Sequence, residues 1–402
     1  MNKKLIILFC ILASMMSVFG QNNTLAITPP MGWNSWNFFE KEVSEKLLIE
    51  VADAMAKNGM KEAGYEYIII DDYWVGGRNT HNNLYPDSKR FPNGMKYLAD
   101  YIHSKGLKLG IYSDAAELTC GGVTGSYNFE EIDATTFASW GVDYLKYDYC
   151  NAPDDMKTAF VRYKKMGDAL KKTGRPIVYA ICEWGQRKPW LWAKAAGGNL
   201  WRTTYDSRDT WETKDKFLMG IVDLFNRNEP LAQYAGPGGW NDPDLLMVGL
   251  DGKGKSSSAN GKYKGCSTIE YRTHFALWAM MAAPLIVNLD VRNITSESTD
   301  ILLNREIIAI DQDKLGHQAT TIYKKGDLQI LARSLEGGNM ALCVFNRSEK
   351  KVKFDLNFRN DLKIWTPFIV YDIFAKKNLG KTFLMKGELA AHDCVVYKLI
   401  AQ

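Results

Sequence analysis

The sequence predicts an α/β protein: a (β/α)8 TIM barrel over residues 25–315, followed by a C-terminal antiparallel β-sandwich domain over residues 318–402. Three observations predict it. Eight short apolar runs alternate with helical stretches, which argues for a parallel sheet closed into a barrel. Six of the strand-like segments finish in acidic residues. Past residue 318 the alternation gives way to short β-type runs separated by Gly, Asn and Lys turns. A chain of 402 residues suits this plan, since a barrel takes about 250 residues as one unit. Hydrophobic residues at 46% and charged residues at 24% exclude disorder, collagen and coiled coil as the main architecture.

The chain opens with Lys3 and Lys4, an apolar stretch from Leu5 to Val18, and Val18-Phe19-Gly20 before polar Gln21-Asn22-Asn23. Residues 1–20 read as a secretory signal peptide. The alternative is a single membrane anchor, but the stretch is short for a span of about 20 residues. Phe9 before Cys10 argues against lipoprotein cleavage, and no later run is apolar enough to span. The mature chain is expected to be periplasmic or secreted, with no membrane span. The net charge of +4 falls to about +2 once Lys3 and Lys4 are removed. That argues against nucleic acid as a partner, for which a strong basic excess is expected.

The barrel strands are predicted at Met31–Asn34, Tyr67–Ile70, Leu109–Tyr112, Tyr144–Tyr147, Ile177–Ala180, Leu200–Thr203, Leu245–Val248 and Leu285–Asn288. The seventh is the weakest, the alternative being a strand just upstream, near Tyr234–Gly239. Helices are predicted over Ser44–Asn58, Met95–Lys105, Asp133–Trp140, Asp155–Lys172 and Lys214–Asn226. The Gly/Ser/Lys-rich residues 251–265 are expected to form a mobile loop. In the tail, Gln329–Ala332, Met340–Phe345, Val352–Leu356 and Val395–Leu399 read as sandwich strands that pack against the barrel.

The acids at strand ends are Asp71-Asp72, Asp114, Asp148, Glu183, Asp206 and Asp290. They would gather at the C-terminal rim, where barrel enzymes place their chemistry. A single Asp after a strand can simply cap the next helix, and Asp114 and Asp290 are open to that reading. Acids at six strand ends, with Trp33, Trp36, Trp74, Trp184 and Trp240 nearby, exceed what capping explains.

Glycoside hydrolysis needs two carboxyl groups flanking the anomeric carbon. Asp148 ends the fourth strand, and Lys146 lies two residues earlier on the same side. A nearby ammonium is expected to hold Asp148 ionised, as a nucleophile requires. Asp206 follows the sixth strand, where Tyr205 and Trp201 are expected to give the less polar setting that suits an acid. Lys146 also admits an aldolase-like Schiff-base reading. The five His lack HxH or HExxH spacing and the Cys lack CxxC spacing, so no metal site is expected. Cys120 and Cys150, at the ends of consecutive strand segments, are the pair expected to be joined.

Seven motifs occur in order: Met31-Gly32-Trp33-Asn34-Ser35-Trp36, Ile70-Asp71-Asp72-Tyr73-Trp74, Leu109-Gly110-Ile111-Tyr112, Lys146-Tyr147-Asp148-Tyr149-Cys150, Cys182-Glu183-Trp184-Gly185-Gln186, Trp201-Arg202-Thr203-Thr204, and Gly236-Pro237-Gly238-Gly239-Trp240-Asn241-Asp242-Pro243-Asp244. From about residue 28 to 312 the chain resembles the α-galactosidases (melibiases) of glycoside hydrolase family 27. The resemblance implies the same barrel and sandwich, retention of anomeric configuration, no cofactor, and a carbohydrate with terminal α-galactose as substrate. It implies Asp148 as nucleophile and Asp206 as acid/base. Asp71 and Asp72 match the carboxylates that grip the sugar's O4 and O6, and Lys146 and Arg202 match ring-hydroxyl contacts. Trp33, Tyr112 and Trp184 match pocket walls, and Asp244 a further polar contact. Glu183-Trp184 resembles the galactosidase form of its loop, and Asp72 favours galactose over β-L-arabinopyranose. The implied activity is that of a retaining exo-α-galactosidase, with β-L-arabinopyranosidase or a silent galactose-binding protein as alternatives. The family's remaining disulfide maps onto Cys120–Cys150. Its other disulfide is missing at both ends, with Tyr73 at one of them. Tyr205 replaces a small residue before the acid/base.

Overall fold

The computed structural model describes residues 25–402. The proposed signal peptide lies outside the described residues. Eight parallel strands form one curled sheet: Met31–Asn34, Tyr67–Ile69, Lys108–Asp114, Tyr144–Asp148, Val178–Ile181, Leu200–Arg202, Trp240–Asp242 and Leu285–Val287. The eighth strand pairs with the first, Met31 opposite Leu285. Between the seventh and eighth strands the ring is completed by Leu246, whose N–H donates to the Ile286 carbonyl at 2.8 Å. The seventh strand therefore starts at Trp240. It is not Leu245–Val248 but lies just upstream, directly after Tyr234–Gly239, as the alternative held; the apolar run at 245 is the segment that follows it.

The strands form because both of their faces are buried, which gives near-continuous apolar runs. Inward residues fill the barrel: Tyr67, Ile69, Tyr144, Val178, Ala180, Leu200, Trp240 and Ile286 make one cluster. The large side chains fit because Gly32 and Gly110 face them. A Cβ on Gly32 would lie 2.4 Å from the Tyr67 carbonyl oxygen, and one on Gly110 would lie 2.7 Å from Ile69 Cγ1. Toward the C-terminal end of the strands the inward residues change from apolar to charged. The same two-residue alternation thus makes core below and site above.

Helices Glu45–Met55, Gly94–Ser104, Glu130–Trp140, Met156–Lys172 and Ile221–Asn228 cover the barrel. Ser44 and Asp155 cap two of them, accepting from Leu47 N and Thr158 N. After the fifth strand there is only a short 3₁₀ turn, Pro189–Leu191. Helix Thr268–Met280 connects strands seven and eight, and its residues from Thr273 to Met280 are all buried. Asp290 is a cap, as one reading held: its side chain accepts from Arg292 N.

The tail contains a six-stranded antiparallel sheet in the order Thr320–Lys325, Leu328–Ser334, Met340–Asn346, Cys394–Ile400, Ile369–Asp372, Lys377–Lys381. A pair, Val352–Asn357 with Leu384–Leu389, forms the second layer. In the third strand of the large sheet, Ala341, Cys343 and Phe345 join the barrel's core cluster, whereas Leu342 and Val344 pack in the sandwich. One face of that sheet thus closes on the barrel and the other on the second layer. Arg333, 1% exposed, anchors the junction by donating to the carbonyls of Ala279 and Asp311 at 2.5 and 3.1 Å.

The loop expected to be mobile, residues 251–265, is built of turns and docked. Ser257 and Ser258 are buried, and Ser256 N donates to the Asn37 carbonyl at 3.1 Å. Its glycines serve tight turns here, which is why composition alone suggested freedom.

Candidate active site

At the C-terminal end of the strands lies a cavity open to solvent. Asp71, Asp72, Tyr112, Lys146, Asp148, Trp184, Arg202, Asp206 and Asp244 all line it. Nine predicted residues from six strand ends therefore meet in one place. Four non-glycine residues just past these strand ends have left-handed backbone: Tyr73, Asn151, Trp184 and Asp244, at φ 71, 56, 58 and 84°. Such conformations cost about 1–3 kcal/mol each and cluster where side chains must be aimed.

Asp148 is buried, and both carboxylate oxygens are held. Oδ1 accepts from Tyr149 N at 2.9 Å, and Oδ2 accepts from the Tyr112 hydroxyl at 3.1 Å. Burial pushes its carboxyl up to about 7, with the Lys146 charge working against that rise. The ammonium expected to hold Asp148 ionised does act in that direction, but its direct ion pair is with Asp71, Nζ to Oδ2 at 2.7 Å. For Lys146, burial opposes the charge, yet the carboxylates of Asp71 and Asp148 hold the ammonium above its ordinary range. A cation so held is a poor amine nucleophile, which removes the Schiff-base reading.

Asp71 also accepts from Asn34 Nδ2 at 2.8 Å and from Asp72 N at 3.0 Å. Asp72 accepts from Tyr73 N, Thr119 Oγ1 and Gly121 N at 2.7, 2.9 and 2.7 Å. Burial raises its carboxyl, and these donors oppose the rise. Gly121 is required there. A Cβ would meet Asp72 Oδ2 at 2.8 Å and the Tyr73 ring at 2.6 Å. Next to Gly121, the Cys120–Cys150 disulfide ties the loop after strand three to the end of strand four.

Arg202 fans across the other wall. Nη1 pairs with Asp244 Oδ1 at 2.9 Å, and Nη2 with Asp206 Oδ1 at 3.1 Å. Asp244 Oδ2 accepts from both Ser207 N and Ser207 Oγ, at 2.7 and 2.8 Å. Burial opposes the charge of Asp244, but Arg202 and Ser207 hold its carboxyl below the ordinary value. The apolar setting expected for Asp206 is not found. Its side chain is 43% exposed and meets a guanidinium, the Trp201 indole bonds Asn241 Oδ1, and Tyr205 packs edge-on to Phe217.

Two residues predicted at the site, Trp33 as a wall and Glu183 as a substrate contact, lie elsewhere. Trp33 is fully buried behind the strand, with Nε1 donating to the Leu289 carbonyl at 2.8 Å. Trp36, three residues on, lines the cavity and stacks parallel to Tyr73. Glu183 is also fully buried and turns away, accepting from Arg187 N at 2.8 Å and Arg187 Nη1 at 3.1 Å. Cys182 takes its place in the lining. The signal for both was strand parity. Gly32 and Asn34 point inward, so Trp33 cannot. Val178, Ala180 and Cys182 point inward, so Glu183 cannot.

Comparison with known proteins decides the family. The family described as "Alpha galactosidase A" matches residues 28–313, and the "Alpha galactosidase C-terminal beta sandwich domain" matches residues 325–399. The chain belongs to the melibiase family of glycoside hydrolases. It is 44% identical over 391 residues to an α-galactosidase A of Cellvibrio japonicus, covering 93% of this chain and 92% of that one. The crystal structure of α-galactosidase I from Mortierella vinacea superposes with a TM-score of 0.87 at 36% identity, covering 95% and 99%. A β-L-arabinopyranosidase of Geobacillus stearothermophilus is more distant, with a TM-score of 0.80 at 25% identity, covering 93% and 97%.

Proposed function

We propose that this melibiase-family chain is a retaining exo-α-galactosidase that releases terminal non-reducing α-D-galactose from oligo- or polysaccharides and needs no cofactor. The observation that carries the reading is that Asp148 and Asp206 line one cavity together with Asp71, Asp72 and Lys146. Asp148, oriented by Tyr149 N and Tyr112, attacks C1. Asp206 protonates the leaving oxygen and then takes the proton from the incoming water, as a double displacement requires. Arg202 steadies Asp206, and Asp244 steadies Arg202 and the Ser207 backbone. Asp71 and Asp72 read the axial O4 and O6. A site built to bond a hydroxyl rejects substrates lacking it by large factors. The basic and apolar start of the chain supports export to a periplasm or the medium.

β-L-Arabinopyranosidase activity is the second reading, and one observation bears on it. Asp72 lines the cavity and is fixed by three donors, so a partner for a C6 hydroxyl is in place. Paired assays on aryl α-galactoside and aryl β-L-arabinopyranoside should favour the galactoside. For the mechanism, Asp148→Asn should abolish turnover while circular dichroism and melting stay native. Azide should restore partial turnover to Asp148→Gly. Substantial activity in a clean Asp148→Asn preparation would remove Asp148 from the nucleophile role.

A further inference from the structure

Beyond Ser207 the chain carrying Asp206 runs into a second buried carboxylate that the mechanism does not use. Asp209 is fully buried, and its bonded partners among the described residues are neutral donors. Its oxygens accept from Gly252 N at 2.8 Å, from Cys266 N at 3.2 Å, and from the Tyr271 hydroxyl at 2.8 and 3.0 Å. Its own N–H donates to the Ser257 carbonyl at 3.0 Å. Gly252 and Cys266 are the two ends of the 251–265 loop, so one side chain clips the loop at its base. The ends come close because Gly252 and Gly265 have φ of +69 and +93°; a Cβ on Gly265 would lie 2.6 Å from Gly252 N.

The middle of the loop reaches the opposite partner. Ser256 N donates to the Asn37 carbonyl, and Lys255 pairs with Glu42. Asn37 and its neighbour Trp36 line the cavity. The loop thus braces the Asp206 segment against the first strand's end, and both walls of the mouth depend on the clip.

We propose that Asp209 is a positioning residue for Asp206, holding the general acid in line with the leaving oxygen through the clipped 251–265 loop. The inference rests on Asp206 being the acid/base. Asparagine at 209 keeps the size but turns an NH2 toward groups that are themselves donors. A misplaced acid matters when the leaving group needs a proton and matters little when it does not. Melibiose has a sugar leaving group that needs protonation; 4-nitrophenyl α-galactoside releases a stable phenolate.

The test compares kcat/KM for the two substrates in wild type, Asp209→Asn, Tyr271→Phe and Asp206→Asn. Asp209→Asn should lose at least about tenfold more on melibiose than on the nitrophenyl substrate, with inhibition by galactose nearly unchanged. Tyr271→Phe removes one donor and should shift the ratio the same way by less; it serves also if the Asp209 variant does not fold. Equal losses on both substrates, or a change in melting temperature alone, would overturn the inference. If Asp206→Asn itself fails to discriminate between the substrates, the acid/base assignment fails instead.

Discussion

Lys146 connects the two halves of the pocket chemistry. Its ammonium sits 2.7 Å from Asp71, and its charge also acts on Asp148, where it opposes the rise caused by burial. Asp148 has a second neighbour, Asp114, with carboxylate oxygens within 4.8 Å of its own. Burial pushes Asp114 up to about 9, with the Asp148 charge adding to that rise, and burial pushes Asp148 up to about 7, with the charges of Asp206 and Asp71 adding to it. The pair is best described together. Of the pair, Asp114 is the more strongly raised and is fully enclosed, which leaves Asp148 to carry the charge needed for attack. The acidic limb of kcat/KM should then report the ionisation of Asp148. Lys146→Met removes the opposing cation, so that limb should move to higher pH, and kcat/KM at neutral pH should fall by about a hundredfold. An unmoved limb in that variant would show that some other group sets it.

At the scale of elements, legibility followed burial geometry. The barrel strands were readable because runs such as Ile68-Ile69-Ile70 are buried on both faces. Helix Thr268–Met280 escaped because it is enclosed by barrel and sandwich and shows no polar stripe. The sandwich strands Lys377–Lys381 and Leu384–Leu389 escaped because they alternate little or lie exposed. The seventh strand was misplaced since its apolar partner, Leu246, follows it and closes the ring in its stead. Most of the site was legible from acids at strand ends. Trp33 and Glu183 were misassigned because their motifs were matched without the two-residue alternation that sends each away from the cavity. That alternation makes a prediction. Trp36→Ala should raise KM for galactosides several-fold while leaving melting nearly unchanged. Trp33→Phe loses the bond to Leu289 and packing, so it should lower stability by about 1–3 kcal/mol with KM close to wild type. The opposite pattern would restore Trp33 to the pocket wall.

At the scale of the whole molecule, building one rim from many acids sets how stability depends on pH. Burial raises the folded-state carboxyls of Asp209 and Asp242 to about 6, and those of Glu183 and Asp148 to about 7. Asp114 goes to about 9, and Asp72 and Asp133 move in the same direction. A carboxyl with a raised folded value binds more protons folded than unfolded between the two values, so stability falls as pH rises through that window. The window opens near 4, where unfolded carboxyls titrate, and closes between about 6 and 9 for these groups. His274 is a counterweight. Burial lowers it to about 3, so its contribution is full above the unfolded value near 6.5 and is lost as pH falls. Asp290, held low after burial's opposing effect by Arg292, contributes only to losses below about 4. Several carboxyls against one imidazole leave the balance on the acidic side. The melting temperature should therefore be higher by several degrees near pH 5 than near pH 8, and the Asp209→Asn and Asp242→Asn variants should each flatten the difference. Calorimetry across that range at constant ionic strength measures it directly. A chain that melts at the same temperature at both ends, or higher at pH 8, would mean that these acids stay charged when folded, each matched by a donor or cation beyond those described.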